Sequence, residues 1–336
     1  MNKIRQFKMK NSGGWPKYDL KITLKPCFKC NHKCWFCDEY DNKTKMWSKQ
    51  DVDHVLETIS EIPDDKNRLF FYFYGGEPTL SEYWEHLNCE LMKMFPDRVL
   101  FIQTQTNMSM SEKRLDRCLN EMNKVKGERH TIDICSSYHL GKQTVDDFIK
   151  KMKICEIYEC LGYCFFSTEI RKHDQCIAEF TRLTQAYPDK VKLRFTEINN
   201  LKNKHIPEYE QLLKDEYLSG SDDGKSLEFR YWLRKYPEWR RFFEREWDFD
   251  VDGTTYNFSE VSGNNIHMKF KHMKCECGSK NIVIDHNLNV YHCNDDFYNK
   301  INITQLKDVN MKTYISKDVR CLNSTCYDGL DFRKYK

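Results

Sequence analysis

The 336-residue chain has no apolar run long enough to cross a bilayer; its longest strongly apolar runs, such as Leu69 to Tyr74, fall far short of the ~20 residues a spanning helix needs. It also lacks the apolar centre of a secretion signal, because the basic opening MNKIRQFKMK leads into no such segment. A soluble, cytoplasmic protein is therefore expected, with no membrane partner. An excess of one charge is missing too. Lys+Arg total 54 against 51 Asp+Glu, and a formal net charge of +3 gives no electrostatic footprint for nucleic acid. No internal repeat or low-complexity tract stands out, which argues against a repeat array.

What the chain does have is cysteine, 16 in all. Reducing compartments keep thiols free, so metal clusters explain several of them better than disulfides do. Cys89, Cys118, Cys155, Cys160 and Cys176 fall in helical-looking stretches and read as small buried hydrophobes. The length suffices for one α/β domain, alone or with an appendage.

Six β-rich runs occupy 19–25, 68–74, 98–104, 131–136, 161–168 and 191–198. After the first gap they recur about every thirty residues, the length of a βα unit. Helical spacing fills the intervals, as in Leu115, Cys118, Leu119 and Met122, or Val145, Phe148, Ile149 and Met152. Ser81 and Ser111, each followed by an acid, are expected N-caps. Six such units with right-handed crossovers predict an α/β fold, a partial (β/α)6 parallel barrel whose chemistry sits at the C-terminal strand ends. From about 199 to 272 the rhythm is lost, and the aromatic, charged stretch 231–247 is expected to serve helix packing.

Directly after the first strand comes Cys30-Asn-His-Lys-Cys34-Trp-Phe-Cys37. Three thiolates at this spacing can hold three irons of a cubane cluster and leave the fourth open to a small molecule. Cys27 raises a second reading, a closed site of Cys27, Cys30, Cys34 and Cys37. Structural zinc sites draw their cysteine pairs from well-separated turns, and the ferredoxin run orders its gaps differently and ends in a proline absent here. Both arguments favour the three-cysteine reading. Directly after the second strand comes Gly75-Gly76-Glu77-Pro78, in isolation only a turn that lets backbone approach a ligand.

C-x3-C-x2-C with aromatic Phe36 before its last cysteine, paired with Gly75-Gly76-Glu77-Pro78 one strand later, resembles the radical S-adenosylmethionine (radical SAM) enzymes. The resemblance implies a 4Fe-4S cluster on Cys30, Cys34 and Cys37 whose open iron takes the methionine end of the cofactor, with the GGEP turn contacting its amino group. It implies further that Thr106, Asn107, Ser136 and Glu197 stand where polar residues contact the ribose or carboxylate; as ordinary strand-end polar residues they need no such role. The implied chemistry is reductive cleavage to a 5′-deoxyadenosyl radical that abstracts hydrogen from a substrate, with an electron donor such as flavodoxin or ferredoxin.

Cysteines return as Cys275 and Cys277, as Cys293 at the end of an expected hairpin turning near Asn287, and as Cys321 and Cys326. This layout resembles the SPASM or twitch extensions of radical SAM enzymes. It implies an auxiliary 4Fe-4S cluster on Cys275, Cys293, Cys321 and Cys326, with Cys277 either replacing Cys275 or left as a thiol. The full seven-cysteine SPASM pattern is absent, and zinc is the alternative occupant. The expected organisation is a basic segment 1–18, a barrel core 19–198, a bridge 199–272 and an auxiliary-cluster module 273–336.

With the first strand near residue 19, no room is expected for an N-terminal peptide-recognition domain. A small molecule, a sugar or nucleotide-linked metabolite, is favoured over a ribosomally made peptide. Oxidation aided by the auxiliary cluster and redox-neutral epimerisation both stay open; the second needs a hydrogen donor, for which Cys135, Cys164 and Cys277 are the candidate thiols. Outside this class stand a zinc-stabilised non-catalytic binding protein and a nucleic-acid enzyme. The acids Glu244, Glu246, Asp248 and Asp250 beside the basic aromatic stretch favour a solvated face over the latter.

Overall fold

Alternation with a period of two sets the central sheet. Leu20, Ile22 and Leu24 join a hydrophobic core with the helices, while Lys21, Thr23 and Lys25 point to the other face and are buried there. The computed structural model describes residues 6–9, 17–34, 37, 44–169, 172–195, 232, 235–242, 248–251, 254–257, 274–315, 319–320 and 334–335. In chain order β1 (Gln6–Met9) precedes β2 (Leu20–Leu24), α1 (Lys49–Ser60), β3 (Arg68–Phe73), α2 (Trp84–Met94), β4 (Val99–Thr106) and α3 (Glu112–Val125). Then follow β5 (His130–His139), α4 (Val145–Ile157), β6 (Leu161–Thr168), α5 (His173–Ala186) and β7 (Val191–Phe195). Strands β2 to β7 pair in sequential order, all parallel, as the βα rhythm requires.

The sheet continues past β2. Downstream, β8 (Asp248–Val251), β9 (Thr254–Asn257) and β10 (Lys274–Cys275) lead to the one-turn helix α6 (Cys277–Lys280) and to a hairpin of β11 (Asn281–Ile284) and β12 (Asn289–Tyr291). Strand β11 pairs parallel to β2, with Asn281 beside Lys21 and Ile284 beside Leu24. With α7 (Asn294–Asn299), β13 (Thr304–Gln305), α8 (Met311–Tyr314), β14 (Val319–Arg320) and β15 (Lys334–Tyr335), the main sheet has nine strands in the order β13-β12-β11-β2-β3-β4-β5-β6-β7 and stays open. A second sheet, ordered β14-β10-β15-β1-β8-β9, joins segments from both ends of the chain.

Local chemistry fixes the helix starts. Ser48 and Asp51 form a reciprocal capping box on α1, and Ser111 and Thr144 cap α3 and α4. Ser81 does not cap α2, which begins three residues later at Trp84 after a short 3-10 turn over Pro78–Leu80. The aromatic residues of the bridge pack as expected: Trp239 and Phe242 lie on Phe180 of α5, and Trp232 stacks on His173. No disulfide joins the described cysteines, and Cys89, Cys118, Cys155, Cys160 and Cys176 are buried, Cys160 in the turn before β6 rather than in a helix. No helix among the described residues is long and apolar enough to cross a membrane.

Candidate functional site

The loop after β2 rests directly on the turn after β3. Gly76 N–H donates to the Cys27 carbonyl at 3.0 Å and Glu77 N–H to the Lys29 carbonyl at 2.8 Å. A Cβ on Gly75, whose φ is +135°, would stand 2.5 Å from the Cys27 oxygen, and one on Gly76 would strike the Phe28 and Lys29 backbone. Both glycines are therefore fixed by close backbone approach. Pro78 opens the 3-10 turn that follows, and the Glu77 carboxylate caps it.

Glu77 is fully buried, and its carboxylate faces protein on every side described. One oxygen accepts from Thr79 N–H at 3.1 Å, from the Thr79 hydroxyl and from the Thr106 hydroxyl at 2.7 Å; the other accepts from Asn107 N–H at 2.6 Å. Burial nonetheless raises its pKa. Asn107 in turn donates from its side chain to Cys30 Sγ at 3.4 Å and to Asn31 Oδ1 at 3.0 Å. A chain of hydrogen bonds thus runs from the β3 turn through the end of β4 to the cysteine loop. The sequence named Glu77, Thr106 and Asn107 separately and gave no sign that they bond to one another.

Cys30, Cys34 and Cys37 are half-buried, with Cys37 N–H donating to the Cys34 carbonyl at 3.1 Å. Burial raises the Cys30 pKa and pushes Cys34 up to about 12, the charges of Cys37 and Cys30 adding to the effect on Cys34. Thiols crowded enough to oppose one another's ionisation suit a cationic metal centre, which deprotonates its coordinating thiols outright. Cys27 differs: it is fully buried, its thiol donates to the Lys29 and Glu77 carbonyls, and burial pushes it up to about 12. Ser136 lies opposite Thr106 and Cys164, sharing the helix-facing side of β5 with Ile134 and Tyr138. Phe36 and Glu197 fall outside the described residues.

The strand β5 runs three residues beyond its expected end, to His139. His139 lies beside the cysteine loop, its ring edge-on to His32 with centroids 5.8 Å apart. The polar series Thr131, Asp133, Cys135, Ser137 and His139, read at a period of two, is the signal that would have found it.

At the opposite end of β2, Cys275, Cys277 and Cys293 pack together, all buried, with Tyr18 and Val319 against them. Hydrogen bonds with Cys275 and Cys293, then burial, hold the Cys277 thiol well above the ordinary thiol range. Cys277 therefore sits with the other two rather than apart. Cys321 and Cys326 lie outside the described residues, though β14 brings the chain alongside β10 immediately before Cys321. The β2–β11 pairing puts these thiols where the parallel strands begin and Cys30–Cys37 where they end. At about 3.3 Å per residue, the two groups stand on the order of 15–20 Å apart along the strand.

A sequence profile described as the radical SAM superfamily matches residues 24–158. Residues 24–158 therefore carry a radical SAM domain. A radical SAM domain marks an enzyme, of a class that uses S-adenosylmethionine and a 4Fe-4S cluster. No curated protein matches the chain. Among solved structures, anSMEcpe with bound AdoMet and Kp18Cys peptide aligns with a TM-score of 0.52 at 15% identity, over 89% of this chain and 80% of that one. A histidine-tagged form of anSMEcpe with bound AdoMet gives 0.53 at 14% identity, over 89% and 77%. At such identities the likeness speaks for the shared radical SAM fold alone.

Proposed function

We propose that Cys30, Cys34 and Cys37 hold the 4Fe-4S cluster at which this radical SAM enzyme cleaves its cofactor, and that its substrate is a small polar molecule on the inner face of the sheet. The observation that carries the reading is the seating of the cysteine loop on the Gly75–Pro78 turn, backbone to backbone, at the strand ends. When bound, cluster and cofactor together supply a 5′-deoxyadenosyl radical able to abstract hydrogen. The protein's own part is to place and shield. Gly75 and Gly76 admit backbone close to the cluster, and Pro78 fixes the turn. Glu77 ties that turn to Thr106 and Asn107, so its carboxylate acts through position as the cofactor's ammonium group meets the turn. Phe36 and Glu197 keep their proposed cofactor contacts, and Ser136 is the weakest of the set because of the face it occupies.

The polarity of the inner face supports the substrate class. Thr23 Oγ1, Ser167 Oγ and both amide atoms of Asn281 are buried there with no hydrogen-bond partner among the described residues. Each such group costs about 1–3 kcal/mol until something bonds to it. A sugar or nucleotide-linked metabolite carries the hydroxyls to do so. A peptide is the second reading, favoured by the peptide held in anSMEcpe. Cys275, Cys277 and Cys293, completed by Cys321 or Cys326, are assigned to an auxiliary 4Fe-4S cluster serving the substrate half of the reaction, with flavodoxin or ferredoxin as reductant.

Iron and acid-labile sulfide in anaerobically reconstituted protein test both centres. About eight irons per chain are expected, with Cys30→Ala and Cys293→Ala each removing about four. Zinc at the C-terminal thiols would replace the auxiliary cluster with a structural site.

A further inference from the structure

His32, Cys34 and His139 converge although only two of them share a loop. Each offers one ligand-type atom, and these atoms all lie within 4.8 Å of one another. His32 is only 5% exposed, and its Nδ1 has no hydrogen-bond partner among the described residues. Its ring meets that of His139 at 84°. His139 arrives from the end of β5, so the convergence is a product of the barrel and not of the cysteine motif.

A histidine ring carries at least one N–H to donate, one when neutral and two when protonated. Direct ligation of the cluster iron at Cys34 is closed to His32 and His139, because that iron already has three sulfides and the cysteine sulfur around it. What remains open is a hydrogen bond to sulfur.

We propose that His32 and His139 act as positioning residues that donate N–H to the Cys34 sulfur and thereby set the reduction potential of the radical SAM cluster. The proposal rests on the assignment of that cluster to Cys30, Cys34 and Cys37. An N–H bond to a ligating thiolate draws charge from it and favours the reduced, more negative cluster. Ease of reduction decides whether a donor of given potential can start the reaction.

The test is an EPR-monitored redox titration of the anaerobically reconstituted full chain without cofactor, with iron and sulfide measured on each sample. His139→Phe keeps a ring and loses the donor. It should retain wild-type iron while its reduction equilibrium falls about tenfold, which is ~59 mV more negative for a one-electron couple. His32→Phe should shift it in the same direction, and His139→Asn, which restores an N–H, should recover part of the loss. Wild-type potential at wild-type iron in both Phe variants would overturn the proposal. Loss of the cluster's iron in His139→Phe and His139→Asn alike would also overturn it, by making the histidine a structural or ligating residue. If Cys34→Ala keeps full iron, the cluster assignment fails and the proposal with it, an outcome read from metal content before any potential is measured.

Discussion

Glu77 is held by four hydrogen bonds, yet burial outweighs them and leaves its pKa above the ordinary 4.5. A carboxyl whose folded pKa is raised binds more protons folded than unfolded, so its contribution to stability is complete below pH 4.5 and is lost as pH climbs toward the folded value. Glu77→Gln keeps an oxygen for Thr79 and Thr106 and removes the charge. It turns an amide N–H toward the Asn107 N–H, which costs about 1 kcal/mol. Thermal melts of metal-free protein between pH 5 and 8 should therefore show a flatter decline for Glu77→Gln than for wild type. Equal slopes would mean that the carboxyl is not the titrating group. The identities of Gly75, Gly76 and Glu77 were legible in the sequence because a short motif follows a strand. Their reasons were not, since the Cys27–Lys29 backbone that excludes a Cβ lies nearly fifty positions upstream.

Asp285 organises the C-terminal hairpin much as Glu77 organises the β3 turn. It is 1% exposed, and its carboxylate accepts from Asn287 N–H at 2.9 Å, Asn289 N–H at 3.0 Å and the Tyr291 hydroxyl at 3.0 Å. Its carbonyl takes the Trp47 indole N–H at 3.1 Å. Asp285→Ala leaves buried donors unmet and should destabilise the fold by about 2–4 kcal/mol in denaturant titration. The loss should fall on the hairpin and Cys293, so iron at the C-terminal centre is expected to drop before iron at the N-terminal one; equal loss at both would mean that the hairpin is not a separable support. The six parallel strands were legible to within a few residues, because alternation and a thirty-residue rhythm are local signals. The hairpin's turn was legible too, but not its partner: nothing in Asn281–Ile284 says that the strand will lie beside β2. The end of β5 was placed three residues short of His139, and with it went the only sequence sign of the histidine pair.

At the scale of the molecule, one sheet carries two groups of thiols, at opposite ends of the β2–β11 pair, with Lys21, Thr23 and Lys25 on the face between them. Lys25 helps join the halves: fully buried, its ammonium lies 3.9 Å from the Phe297 ring centre and 4.9 Å from that of Tyr74. Desolvated contacts of this kind contribute about 2 kcal/mol or more each. Under the proposed assignment, radical generation falls at one end and handling of the substrate's electron at the other. The most direct test is 5′-deoxyadenosine formation by the reduced, anaerobically reconstituted protein supplied with S-adenosylmethionine. Wild type should form it, Cys293→Ala should still form some without turning over substrate, and Cys34→Ala should form none while keeping its C-terminal cluster; no product from fully loaded wild type, or wild-type amounts from Cys34→Ala, would contradict the account.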